Sequence, residues 1–212
     1  AAALHAAGYP RTLAGAREYL LDWVRRMQPV YLMASTPAGF QWAPSSAGVA
    51  ESQCDDKGPE NLLQQLLLPV AQECRLPIAL KVGAVRGAKP ALRAGGDAAE
   101  VADLGFVRAL CAAYPSQKFL VTVLAQPNQH ELSVLARKFG NLHVYGCWWF
   151  CNQPSIIEAT TRMRLEMLGT AFTAQHSDAR VLDQLAYKWS HSRRVIAEAL
   201  LAQYKLLSEV GW

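Results

Sequence analysis

Apolar runs alternate with helix-like segments along most of this chain, and that alternation is the feature that most constrains its fold. Most of the runs are continuously apolar rather than alternating apolar and polar, which is typical of strands buried on both faces of a parallel sheet. We therefore predict an α/β fold of right-handed βα units. The five candidate strands are "PVYLMAS" (29–35), "LPIALKVGA" (76–84), "KFLVTVLA" (118–125), "LHVYGCWWF" (142–150) and "TAFTA" (170–174).

Helix signals fill the gaps between these runs. Pro residues near the predicted starts and Gly residues at the predicted ends mark their boundaries. One helical segment precedes the first strand. The others span about 60–75 with a kink at Pro69, about 98–114, from Pro127 to Gly140, from a cap at Asn152 to Gly169, and about 191–208. The 36–59 connection fits either a binding lid or a solvated excursion, and its composition slightly favours the excursion. Length and order predict a single domain over residues 1–212.

The composition argues against several classes of function. The net charge is +4, and Lys and Arg are scattered, so we expect no nucleic-acid partner and no polybasic membrane segment. No apolar run approaches the roughly 18 residues that a membrane span needs. Five cysteines without a CxxC pair favour reduced core thiols over a disulfide framework. Because Ala1 begins no recognisable secretory signal, we expect a cytoplasmic protein.

Polar and aromatic side chains follow the predicted strands, where parallel α/β folds bind ligands. The fifth run leads into "HSDAR", which contains His176, Asp178 and Arg180, and the fourth contains Trp148 and Trp149. A carboxylate there can bind a divalent metal or act as a general base, and a guanidinium can hold an anion through two hydrogen bonds. The same spacing fits an Asp that caps the next helix and an Arg that pairs with it. Spacing alone leaves both interpretations open.

The stretch 145–204, with "GCWWFCNQP" and "TAQHSDARVLDQLAYKW", resembles the C-terminal part of the uronate (glucuronate) isomerases of the amidohydrolase superfamily. The stretches "ENLLQQLLLPVAQECRLPIALKVGAVR" (60–86) and "KPALRAGGD" (89–97) are similar to the same family, in the same order. The resemblance implies a TIM-type (β/α)8 barrel that is incomplete in this chain. By order, the five predicted strands correspond to about strands four to eight.

The resemblance also implies an activity and a site. The reaction would interconvert D-glucuronate and D-fructuronate at a divalent metal, which we expect to be zinc. Asp178 would be a metal ligand or base, Arg180 would hold the substrate, and Trp148, Trp149 and His176 would line the sugar site. The family's HxH metal-binding motif does not occur in this sequence, so its histidine ligands are expected outside this chain. One carboxylate is fewer than the three protein ligands usual at catalytic zinc.

An incomplete barrel leaves three explanations open. The chain could be a fragment of an enzyme, one part of an enzyme split into two polypeptides, or a non-catalytic structural or interaction subunit descended from the family. Open parallel strands expose an edge and an apolar interior. Besides a uronate sugar, we therefore expect a protein partner: the missing N-terminal barrel half, another chain, or a second copy in a homo-oligomer. A metal-dependent hydrolase of the same superfamily is a further alternative, because a fold does not fix a reaction.

Overall fold

A computed structural model describes residues 2–44, 59–179 and 181–211. Within these ranges the strands form one sheet in the order β1–β2–β4–β5, and all neighbours in this order run parallel. The short strand β3 pairs antiparallel with the end of β2. The bounds are β1 Leu32–Pro37, β2 Ile78–Val85, β3 Ala98–Ala99, β4 Phe119–Val123 and β5 Leu142–Val144. The predicted parallel α/β fold is confirmed, and it is consistent with part of a TIM-type barrel.

Helices connect the parallel strands, as βα units require. The long last helix packs against the helix before it, and the first two helices precede β1. Short 3₁₀ turns occupy Pro90–Gly96 and Trp149–Cys151. The helices are α1 Ala2–Ala6, α2 Leu13–Met27, α3 Pro59–Leu62, α4 Leu68–Glu73, α5 Gly105–Ala113, α6 Asn128–Lys138, α7 Pro154–Leu168 and α8 Leu182–Glu209.

The two faces of the sheet have different surroundings. On the first face, aligned residues such as Leu80 of β2 and Val121 of β4 are fully buried against the helices. Alternate residues point to the second face, where Lys81 of β2 lies in register with Thr122 of β4. This second face is partly open, since Met33 of β1 is 43% exposed. The candidate site lies on the second face.

The last two predicted strands are shorter than their apolar runs. The strand predicted over 142–150 ends at Val144, because Gly146 takes a φ of 70° and turns the chain into the 3₁₀ turn. The strand predicted over 170–174 is reduced to one parallel bridge between Thr173 and Tyr145. Thr173 donates to the Val144 carbonyl at 3.0 Å and accepts from the Gly146 amide at 2.8 Å. The segment therefore lies beside the end of β5, but it forms no regular ladder of hydrogen bonds with it.

The predicted kink at Pro69 takes the form of a π-helical turn, Leu63–Leu67, between α3 and α4. Pro lacks an N–H and crowds the carbonyl four residues earlier, and the wider turn relieves both conflicts. Three helix starts also differ from the prediction. The segment predicted as helix over 98–114 first forms β3, α8 begins at Leu182 rather than near 191, and α7 is capped by Gln153 rather than Asn152.

The 36–59 connection begins inside the core. The Phe40 and Trp42 side chains are buried there, and the Phe40 ring meets Phe106 edge-on at a centroid distance of 4.9 Å. A solvated excursion is therefore the wrong interpretation for Phe40 and Trp42. Residues 45–58 lie outside the described ranges.

The cysteines that the structure describes are free thiols. Cys111, Cys147 and Cys151 are buried, and Cys74 is half-buried, whereas Cys54 lies outside the described residues. Among the described helices, none combines the length and apolar character needed to cross a membrane.

Candidate active site

The Asp178 carboxylate lies between side chains from distant parts of the chain. Its Oδ1 accepts a hydrogen bond from Lys81 Nζ at 3.0 Å, and its Oδ2 accepts one from Trp148 Nε1 at 2.7 Å. The Asp178 backbone has a φ of 43°, which is uncommon for a residue with a side chain. The N-cap of α8 is Val181. Asp178 therefore does not cap the next helix, and that part of the interpretation is wrong.

The surroundings of Asp178 favour its ionised form. Partial burial by itself would raise the pKa, but the hydrogen bond and positive charge of Lys81, together with the Trp148 hydrogen bond, outweigh it. The pKa of Asp178 therefore lies below its ordinary value, and the group is a carboxylate at neutral pH.

Sequence reasoning missed Lys81, which β2 brings to this carboxylate. The Lys81 side chain is only 15% exposed, and Nζ lies 5.3 Å from the centroid of the Trp148 ring. The signal was present, because Lys81 is the one charged residue in the run "LPIALKVGA". Lysine is almost never buried unless its charge is paired. A lysine in a buried strand therefore indicates a nearby acceptor.

One cleft beside Asp178 has a volume of ≈ 410 Å³ and carries positive charge; we call it the cationic cleft. Its lining includes Lys81, Arg86, Trp148, Trp149, Asp178 and Lys188. Arg86 forms an ion pair with Asp97 and lies over the Trp149 ring. Lys188 Nζ donates to the carbonyls of Ser177 at 2.6 Å and of Asp178 at 3.3 Å. Cations beside aromatic rings suit an anionic, hydroxylated small molecule.

The two predicted tryptophans both line this cleft, but they are buried to different extents. Trp148 is 2% exposed, and its only polar atom, Nε1, is used on Asp178. Trp149 is half-buried and stacks on Phe150 at a centroid distance of 4.5 Å. The sequence placed both residues at a strand end, and the contact of Trp148 with Asp178 gives it a defined polar role.

A second cleft of ≈ 400 Å³ also reaches Asp178; we call it the neutral cleft. Besides Asp178, its lining includes Tyr31, Met33, Leu120, Tyr145, Thr173 and His176. Tyr145 Oη and His176 Nε2 are both buried, and neither has a hydrogen-bond partner among the described residues. Each such group costs about 1–3 kcal/mol if it stays unpaired.

The ring of His176 is held by close packing. It lies 4.9 Å from the Tyr145 ring, between centroids, and directly over Gly146. Burial lowers the pKa of His176 to about 4, although the Asp178 charge opposes this shift. The imidazole is therefore neutral at physiological pH.

A buried hydrogen-bond network supports these segments from behind. The Arg164 side chain of α7 is fully buried and donates to the Gly146 carbonyl at 2.9 Å and to Gln129 Oε1 at 2.8 Å. Gln175 Oε1 accepts from the amides of Cys147 at 2.9 Å and His176 at 3.0 Å. The network joins the segment after β5 to the segment that leads into Asp178.

The described residues do not form a metal site by themselves. Among them, no group of three or more His, Cys, Asp or Glu side chains is arranged to hold an ion. Both oxygens of Asp178 already accept hydrogen bonds, and the adjacent Lys81 ammonium would repel a cation. Arg180, the other residue predicted at this position, lies outside the described residues.

The polar and aromatic side chains of this site follow parallel strands of βα units. Such an arrangement is typical of the sites of (β/α)8 barrels. The chain is 43% identical to a uronate isomerase from Bacillus halodurans, with a TM-score of 0.86, over 99% of this chain and 49% of that one. It belongs to the uronate isomerase family.

Two more distant structures agree in fold. A uronate isomerase from Thermotoga maritima is 18% identical, with a TM-score of 0.62, over 82% of this chain and 44% of that one. A glucuronate isomerase from Caulobacter crescentus is 16% identical, with a TM-score of 0.69, over 91% and 45%. The chain thus spans about half the length of these relatives. No protein-family model and no curated protein matches it.

Proposed function

We propose that this chain contributes part of the active site of a uronate isomerase, which interconverts D-glucuronate with its ketose, D-fructuronate. The observation that carries the proposal is the Asp178 carboxylate held between Lys81 and Trp148 at a cationic cleft, in a chain of this family. The uronate carboxylate would lie in that cleft. Arg180 would hold the substrate, as the family resemblance implies.

Isomerisation of an aldose to a ketose moves hydrogen between C1 and C2 without net oxidation. A base removes the proton from C2, the electron pair forms an enediolate, and C1 then receives a proton while the hydroxyl proton moves from O2 to O1. Among the described residues that line the cationic cleft, Asp178 is the carboxylate that can act as this base. The Lys81 ammonium would stabilise the negative charge that develops on the sugar oxygens.

The family resemblance also implies a divalent metal, which we expect to be zinc. Asp178 would be one ligand, in exchange for one of the hydrogen bonds that its oxygens accept from Lys81 and Trp148. Histidines from outside this chain would be the other ligands, because catalytic zinc usually has three protein ligands. When bound, such a metal polarises a carbonyl oxygen. Asp178 would serve either as this ligand or as the base.

The substitution Asp178→Asn tests the proposal in the protein that contains this chain. We expect uronate turnover to fall by at least about 10²-fold, the loss typical when a general base is removed, with an unchanged circular dichroism spectrum. Asp183→Asn, in the exposed first turn of α8, is the matched control and should keep its activity. Turnover by the Asp178→Asn variant equal to that of the unmodified protein would refute the assignment.

A non-catalytic subunit of the same descent is the second candidate function. It is favoured by the open second face of the sheet, where Met33 is exposed, and by the fact that no three described His, Cys, Asp or Glu side chains are arranged to hold an ion. Elemental analysis with a turnover assay separates the two. About one zinc per chain together with turnover supports the isomerase, and neither zinc nor turnover supports the subunit. No observation favours a hydrolase.

A further inference from the structure

We propose that Tyr145 and His176 form a hydroxyl-binding subsite in the neutral cleft and that it holds the uncharged, polyhydroxylated part of the sugar acid. The identity of the sugar rests on the proposed function, whereas the subsite rests on the geometry of this cleft. Asp178 borders both clefts, so a ligand with an anionic end and a hydroxylated chain can reach across it.

The first support is the pair of buried polar atoms without partners. Tyr145 Oη and His176 Nε2 belong to neighbouring rings, and both line the same cleft. Buried polar groups in native proteins nearly always form hydrogen bonds, so two adjacent exceptions require a partner that the described residues do not supply. One ligand that carries hydroxyl groups can satisfy both atoms, because each hydroxyl both donates and accepts.

The second support is that the His176 ring is held in place by the protein itself. It lies over Gly146, where a Cβ would overlap Cδ2 and come within 2.8 Å of Nε2. Gly146 is itself fixed by hydrogen bonds from Arg164 to its carbonyl and from its amide to Thr173. A polar atom locked by packing and by supporting hydrogen bonds is what a binding subsite needs.

The lining of the neutral cleft decides the chemical class of the ligand. Apart from Asp178, the lining residues named above include no carboxylate, lysine or arginine. Met33 and Leu120 offer apolar surface, and Tyr31 adds an aromatic ring, which suits the C–H groups of a carbohydrate. The cations lie in the other cleft. An uncharged polyol should therefore bind at Tyr145 and His176 without help from a carboxylate.

The test uses NMR to follow the ring nitrogens of His176 in the protein that contains this chain, labelled with ¹⁵N-histidine. D-glucuronate and the uncharged polyol D-glucitol are titrated separately, and the His176 signals are assigned from their loss in His176→Asn. We expect both ligands to shift the Nε2 resonance. Tyr145→Phe keeps the ring and removes the hydroxyl, and it should weaken D-glucitol binding about tenfold, the effect of one lost hydrogen bond. Tyr204→Phe, on α8 outside both clefts with a 48% exposed side chain, should leave the affinity unchanged.

Each other outcome has a defined meaning. An Nε2 resonance that responds to neither ligand overturns the subsite, as does a loss of D-glucitol affinity in Tyr204→Phe equal to that in Tyr145→Phe. A response to D-glucuronate alone overturns the assignment to uncharged hydroxyls. Turnover without an Nε2 response removes the subsite and keeps the isomerase. An Nε2 response without turnover removes the isomerase and keeps a polyol site.

Discussion

Replacing Gly146 with alanine should destabilise the protein more than the same substitution at Gly87, because Gly146 lies against the His176 ring. An added methyl group would overlap Cδ2 of that ring. The backbone cannot easily move away, since the Gly146 amide donates to Thr173 at 2.8 Å and its carbonyl accepts from Arg164 at 2.9 Å. The strain must therefore be relieved by displacing His176.

Gly87 provides the control from which the magnitude can be worked out. The φ of Gly87 is 65° and that of Gly146 is 70°, but nothing lies within 4 Å of a Cβ built on Gly87. Gly87→Ala should cost only the left-handed backbone penalty, about 1–2 kcal/mol. Gly146→Ala should add an overpacking cost of about 1–3 kcal/mol. We therefore expect the two variants to differ by about 1–3 kcal/mol.

Urea unfolding, followed by tryptophan fluorescence in the protein that contains this chain, measures this difference from the two midpoints. A double-mutant cycle assigns it to the ring: adding His176→Ala should abolish the extra cost of Gly146→Ala and leave the cost of Gly87→Ala unchanged. Equal midpoints for Gly146→Ala and Gly87→Ala would refute the packing of His176 on this glycine.

Two other predictions concern charge and burial. Lys81→Met removes the ammonium that keeps the pKa of Asp178 low, so Asp178 becomes protonated at a higher pH and the acid limb of the kcat/KM profile should move upward in pH. Lys205→Met, with a 79% exposed side chain on α8, is the control, and an unmoved limb in Lys81→Met contradicts the pairing. Burial raises the pKa of the Cys147 thiol to about 11. At about pH 8, Cys147 should therefore react with a thiol reagent far more slowly in the folded protein than in urea. Half-buried Cys74 should react in the folded protein. Equal rates for Cys147 in the two states would contradict its burial.

Composition predicted which segments form the sheet better than it predicted where the strands end. The run 76–84 corresponds to β2, Ile78–Val85, because its continuous apolar character reflects burial on both faces. The run 142–150 extends well past β5, because Cys147 and Trp148 are buried in local clusters after the strand has ended. In both runs, apolar composition indicates burial but not whether the buried residues belong to a strand. The break comes from the positive φ of Gly146, which composition does not reveal.

The sequence was also an incomplete guide to the site, because it indicated Asp178 but not its partner. Strand-end position and family resemblance pointed to Asp178, but its partner Lys81 lies 97 residues away in sequence, and no local pattern spans that distance. A charge inside a buried strand is nevertheless costly unless it is paired. The lysine in "LPIALKVGA" therefore requires an acceptor near the same part of the sheet. Asp178 in "HSDAR", which follows the fifth predicted strand, is an acidic residue at a strand end. A lysine in a buried strand thus predicts that an acidic partner exists, and the structure identifies that partner as Asp178.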